Sequence, residues 1–190
     1  GIDIPSLGPD APRFTVALWR RLTTGRPISP EQVEEALSSL GISREVLSQL
    51  RAGLEHDSQG NIVGAVGLSL NPASSNRFQV NGHTLYTWCA WDALFIPLFL
   101  DQTVIVDAPA PTTGDSVRIT LTPERVESYE PEGAVVSIIV PTTGAMSAAT
   151  TPEDMWLAFC NHVHFFDSRE AASAWFAGKQ HEPLLLSIEE

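Results

Sequence analysis

The sequence is poor in cysteine, poor in cations and without a long apolar run, and each shortage excludes something. No stretch approaches the ~20 consecutive apolar residues that a membrane-spanning helix needs, and the start carries no signal-peptide pattern. Lys and Arg number 11 against 23 Asp and Glu, a net charge of −12. That balance argues against nucleic acid, which calls for a basic footprint, and against anionic membrane surfaces. It suits a soluble cytoplasmic protein, with monomer as the default state. No internal repeat occurs, and no Gly-rich nucleophile elbow supports a Cys/His/Asp hydrolase. Only two cysteines, Cys89 and Cys160, are present. In a secreted protein they could close one disulfide; in a reducing compartment two thiols more often mean chemistry, metal binding or burial.

The 190 residues are 43% hydrophobic, enough for one good core or two small ones. After an irregular lead-in over Gly1 to Pro12, Phe14 to Leu22 reads as an amphipathic helix with Gly25 as its stop. Ser29-Pro30-Glu31-Gln32 is a helix-start signal for a helix ending at Gly41, and Ser43 opens a third short helix. A turn at 56–61 leads into an expected strand over Ile62 to Leu70. Three helices and a β-wing predict a winged-helix-like module over 1–70, but Glu31, Glu34, Glu35 and Glu45 would repel DNA. Beyond it, Asn81-Gly82 marks a hairpin, and 103–106, 117–121 and 134–140 read as strands. Thr122 to Val126 reads as a short turn or helical piece, Pro141 to Pro152 as a small-residue cover loop, Ser168 as the cap of a last helix and Leu184 to Ile188 as a final strand. The fold class is therefore α+β: the helical module packed on a domain over 71–190 with antiparallel sheet and a central helix.

That central helix is expected across Leu85 to Pro97. Leu85, Trp88, Cys89, Asp92, Phe95 and Ile96 would share one face, apolar except for a thiol and a carboxylate three residues apart. A carboxylate is costly to bury, and desolvation by Trp88, Trp91 and Phe95 would raise its pKa towards the range of general acid–base work. The same stretch also fits an ordinary buried cysteine with Asp92 capping or pairing elsewhere. A second run, Phe159-Cys160-Asn161-His162-Val163-His164-Phe165-Phe166, places Cys160, His162 and His164 on one face if its latter part is a strand. Such a set could ligate a borderline-soft metal, or the histidines could be hydrogen-bonded core residues.

These two runs, Leu85 to Leu94 and Phe159 to Phe166, closely resemble the active-site segments of alkylmercury (organomercurial) lyases. Asp57 to Gly64 and Gly25 to Ser29 also look like family positions, so the resemblance spans about Phe14 to Ile188. It implies protonolysis of a carbon–mercury bond, with Cys89 and Cys160 as the mercury-binding thiols and Asp92 as the proton-shuttling carboxylate, the three together forming the metal site. It implies a small organomercurial substrate, no organic cofactor, Hg(II) held as product, free thiols to remove it and a mercuric reductase as downstream acceptor. Trp88, Trp91, Phe95 and Phe159 are candidates for the apolar wall around the organic group. Asn161 stands where family members often have another cysteine, and Asp107 to Ser116 contains none. Both ends look shorter than is usual, which would leave the pocket more open. The competing reading is a lyase-like metal-binding or regulatory protein that holds a soft metal through Cys89 and Cys160 without cleavage. The retained Asp92 favours the enzyme, since a passive binder needs no proton donor beside its thiol.

Overall fold

The computed structural model describes residues 8–72, 74–140, 148–179 and 182–189. Helix α1 (Asp10–Leu22) starts four residues before the expected Phe14, with Asp10 in its first turn, where a negative charge complements the helix dipole. Ala11, Phe14, Leu18 and Leu22 recur at helical spacing and are fully buried. Helix α2 (Pro30–Leu40) has the predicted ends: Ser29 and Gln32 form a reciprocal capping box, and Gly41 closes the helix in the left-handed region. The short α3 (Glu45–Gln49) and a 3-10 turn (Arg51–Gly53) complete the helical layer.

These helices pack on an eight-stranded antiparallel sheet. Its strands are β1 (Leu54–His56), β2 (Ile62–Ala65), β3 (Leu68–Ser69), β4 (Asn76–Val80), β5 (His83–Thr87), β6 (Val104–Pro109), β7 (Ser116–Leu121) and β8 (Val126–Glu130). The spatial order is β1-β2-β3-β5-β4-β6-β7-β8, so strands from both sides of residue 70 share one sheet. A smaller sheet sets β9 (Val135–Ile138) between β10 (Phe165–Phe166) and β11 (Leu184–Ser187). Between the strands run α4 (Ala90–Phe95), α5 (Pro97–Leu100), α6 (Pro152–Ala158), a 3-10 turn (Cys160–His162) and α7 (Arg169–Phe176). One continuous core joins Phe14 and Leu18 of α1 to Phe78 and Leu85 of the sheet and reaches Cys89, Cys160 and Val163. The architecture is α+β with a large antiparallel sheet.

Four expectations change. Ile62 to Leu70 is a hairpin, because Val66 and Gly67 turn the chain at positive φ; the apolar run hides the turn. Leu85 belongs to β5, paired with Phe78, and the helix begins only after Cys89. The β-branched and aromatic residues Thr84, Tyr86 and Thr87 favour the strand over the helix that their spacing allowed. Strand β8 was not expected, since Val-Glu-Ser-Tyr-Glu is a half-solvated edge with little apolar signal. Cys160, His162 and His164 do not alternate along a strand: the first two lie in the 3-10 turn, and β10 starts at Phe165. By contrast, Asn81-Gly82 turns the β4–β5 hairpin with both residues at positive φ, as that dipeptide favours. Pro97, which has no amide proton to donate to Ala93, separates α4 from α5. Most of the expected cover loop, residues 141–147, lies outside the described residues.

The segment after Cys160 is held by Ser137 of β9, a fully buried hydroxyl. It donates to the His162 carbonyl at 3.0 Å and accepts from the His164 amide at 3.0 Å. Removing it takes a partner from two half-buried backbone groups, so Ser137→Ala is expected to cost about 1–3 kcal/mol in a denaturant titration. An unchanged midpoint would show that backbone pairing with β9 and packing hold the segment without the hydroxyl.

Candidate active site

Strand β5 delivers the chain to the site and stops there. The Trp88 amide donates to the Gly67 carbonyl at 2.9 Å, and the Thr87 hydroxyl donates to the Cys89 carbonyl at 3.0 Å. Cys89 is extended and forms the N-cap of α4. Asp92, three residues on, reaches back: its Oδ2 accepts from the Cys89 amide at 3.1 Å and from the Cys89 thiol at 3.3 Å. This is a capping box in which cysteine takes the place of Ser or Thr. The three-residue spacing thus brings thiol and carboxylate together, at a helix end rather than along a helical stripe.

Cys160 comes to the same place from the other end of the chain. The Ala90 amide donates to the Val163 carbonyl at 3.3 Å, which ties the start of α4 to the turn carrying Cys160. The Cys89 and Cys160 sulfurs and an Asp92 carboxylate oxygen lie within 4.8 Å of one another. Both cysteines are free thiols and buried. All three predicted site residues are therefore brought together.

Burial sets the protonation of this group. It pushes the Asp92 carboxyl up to about 6, against the hydrogen bonds from the Cys89 thiol and amide, which favour the anion. Burial, then the hydrogen bond with Cys160, then the negative charge of Asp92 hold the Cys89 thiol well above its ordinary range. Near neutral pH the pair is a protonated thiol hydrogen-bonded to a carboxylate. His164 is pushed down, chiefly by burial; its ring donates to the Asn161 carbonyl at 2.9 Å and packs edge-on to Phe166 and Trp175.

The aromatic residues divide. Trp91 and Phe95 stack at 6.2 Å on the outer side of α4, both about two-fifths exposed, in a cluster with Trp19 and Phe99. Trp88 turns the other way and donates its indole N–H to Glu55. With Glu55, Tyr86 and Trp156 it lines a cavity of about 350 Å³. A larger concavity of about 740 Å³, near Arg26 and His83, contains none of the predicted site residues. Two contributors escaped the sequence reading. Gly67 sits at φ +93, and a Cβ there would stand 2.5 Å from Cγ and Oδ1 of Asp92, so only a bare backbone fits against the carboxylate. Glu55, on β1, holds Trp88. A glycine inside an apolar strand pattern was the signal for the first.

Two sulfur donors suit a soft, thiophilic metal, and the carboxylate beside them adds a group that can accept a proton. The family profile "MerB: Alkylmercury lyase" matches residues 68–190. The chain is 39% identical over 163 residues to an alkylmercury lyase of Streptomyces lividans, covering 83% of this chain and 71% of that one. It is 40% identical over 168 residues to one of Staphylococcus epidermidis, covering 88% and 66% respectively. The chain thus spans about two thirds of the length of these curated relatives. The crystal structure of the mercury-bound form of MerB2 matches with a TM-score of 0.73 at 20% identity, over 97% of this chain and 87% of that one. That likeness establishes the shared fold. By profile and by sequence identity, the chain belongs to the alkylmercury lyase family, whose members cleave carbon–mercury bonds.

Proposed function

We propose that this chain cleaves the carbon–mercury bond of small organomercurials by protonolysis, with Cys89 and Cys160 binding mercury and Asp92 moving the proton. The observation that carries this reading is the Cys89 thiol 3.3 Å from the Asp92 carboxylate, with the Cys160 sulfur in the same cluster. The Cys89 sulfur attacks R–Hg–X as its proton passes to Asp92, and X leaves. Cys160 adds a second sulfur, which raises electron density on mercury and weakens the bond to carbon. The carbon then takes the proton from Asp92, giving R–H and Hg(II) on two thiolates. Of the two thiol protons, one ends on carbon and the other departs with X. A raised carboxyl suits this role, since Asp92 must accept a proton readily and then give it up. A dithiol that only stored metal would have no use for a desolvated acid, which disfavours the binding-only alternative.

On this reading no organic cofactor takes part, free thiols strip Hg(II) from the product complex, and a mercuric reductase receives it. The protein works as a cytoplasmic monomer; no described helix is long and apolar enough to cross a membrane. Residues 1–70 act as a winged-helix-like module whose wing extends the sheet of the catalytic part over 71–190.

Asp92→Asn should lower benzene release from phenylmercury with excess thiol by about 10²–10⁴-fold, while both thiols still bind Hg(II). Parental turnover by this variant would remove Asp92 from the mechanism. The pH profile follows from the free enzyme. Asp92 must be ionised to take the Cys89 proton, so kcat/KM should fall as pH drops through about 6; a flat profile from pH 5 to 8 would contradict this. Gly67→Ala forces a side chain against the Asp92 carboxylate at a left-handed position. It should cut turnover at least about tenfold, with Asp92 still present, and an unaffected rate would show that the close approach is dispensable.

A further inference from the structure

Glu55 lies on β1, far in sequence from both active-site runs, yet its carboxylate gathers three donors. The Ser69 hydroxyl donates at 2.6 Å, the Asn71 side-chain amide at 3.3 Å, and the Trp88 indole N–H completes the set. The partner strand makes room for it. Gly64 pairs with Glu55 in register, and a Cβ there would stand 2.6 Å from the Glu55 carboxyl carbon. A carboxylate laid over a glycine and fixed by three donors is held in one orientation, and charge-assisted bonds of this kind are the stronger ones.

What it holds is the residue immediately before Cys89. Trp88 is fastened at both ends: its amide to the Gly67 carbonyl at 2.9 Å and its indole to Glu55. Gly67 is in turn the residue packed against the Asp92 carboxylate. A short path of contacts therefore runs from Glu55 through Trp88 to the Cys89 thiol, and through Gly67 to its proton acceptor. Small errors in such a geometry are expensive for a proton transfer across 3.3 Å.

We propose that Glu55 is a positioning residue for protonolysis: by anchoring the Trp88 indole it fixes the Trp88–Cys89 peptide, and so the alignment of the Cys89 thiol with Asp92. This rests on the proposed lyase activity. Glu55 touches neither thiol, so its effect should fall on turnover rather than on substrate binding.

The test compares the parent with Glu55→Ala, Glu55→Gln and Gly64→Ala. Each is assayed for kcat and KM of benzene release from phenylmercury with excess thiol, with thermal unfolding as the check on folding. The indole N–H of Trp88 is followed in parallel by ¹⁵N–¹H spectroscopy, its resonance assigned with Trp88→Phe. Glu55→Ala should lower kcat about tenfold with KM within about twofold of parent, and should shift the Trp88 indole signal. Gly64→Ala, which leaves Glu55 in place but displaces its carboxylate, should reproduce both effects. Glu55→Gln keeps an acceptor for the indole and should retain most of the parental kcat and an indole signal close to the parent's. Parental kcat in Glu55→Ala or Gly64→Ala would overturn the assignment. So would a Glu55→Gln variant as slow as Glu55→Ala, since the anchor would then not be what matters. A parent that releases no benzene would instead defeat the lyase reading, and this assignment with it.

Discussion

The site depends on one local interaction: the Asp92 carboxylate folding back over the start of α4 to accept both the amide and the thiol of Cys89. Capping boxes of this shape normally stabilise a helix end with Ser or Thr, whose hydroxyls hold their protons throughout the physiological range. Cysteine changes the chemistry without changing the geometry. On the proposed mechanism the capping side chain is the nucleophile, and the residue satisfying the helix end is its proton acceptor. A structural device thereby becomes a reactive pair, because cap and acid must sit three residues apart in either case. The cost is a carboxyl driven up to about 6 by burial, a disadvantage to stability above that pH that an ordinary cap would not carry.

The rest of the fold brings a second sulfur to this pair and keeps the group rigid. Cys160 arrives on a 3-10 turn stitched to α4 through the Ala90 amide and the Val163 carbonyl, and the following segment is held from β9 by Ser137. Gly67 closes the other side with backbone alone. Each support comes from a different part of the chain, so the cluster exists only when the large sheet, the small sheet and α4 are assembled together.

Parts of this were legible in the sequence because they are local. Ser29, Pro30 and Gly41 bound α2 through cap chemistry that needs no tertiary context, and Asn81-Gly82 fixes a hairpin by its backbone preference. Cys89 and Asp92 announce themselves by spacing. Leu85 misled because its position fits a helical period as well as a strand, and only pairing with Phe78 decides. The turn at Val66-Gly67 carried no Asn, Asp or Pro to mark it. Glu55, Gly67 and Ser137 act across strand pairings that a one-dimensional pattern does not contain. The family resemblance supplied what spacing lacked, the convergence of Cys160 on Cys89 across 70 intervening positions of sequence.

The most direct measurement is a single turnover without added thiol: one equivalent of phenylmercury, protein kept anaerobic, benzene and protein-bound mercury counted together. If Cys89, Cys160 and Asp92 suffice, each molecule releases one benzene and retains one Hg(II), and carrying out the reaction in D₂O places a single deuterium in the product. Tight retention of phenylmercury with no benzene released would contradict the account, leaving a site that binds the metal and does no chemistry on its carbon.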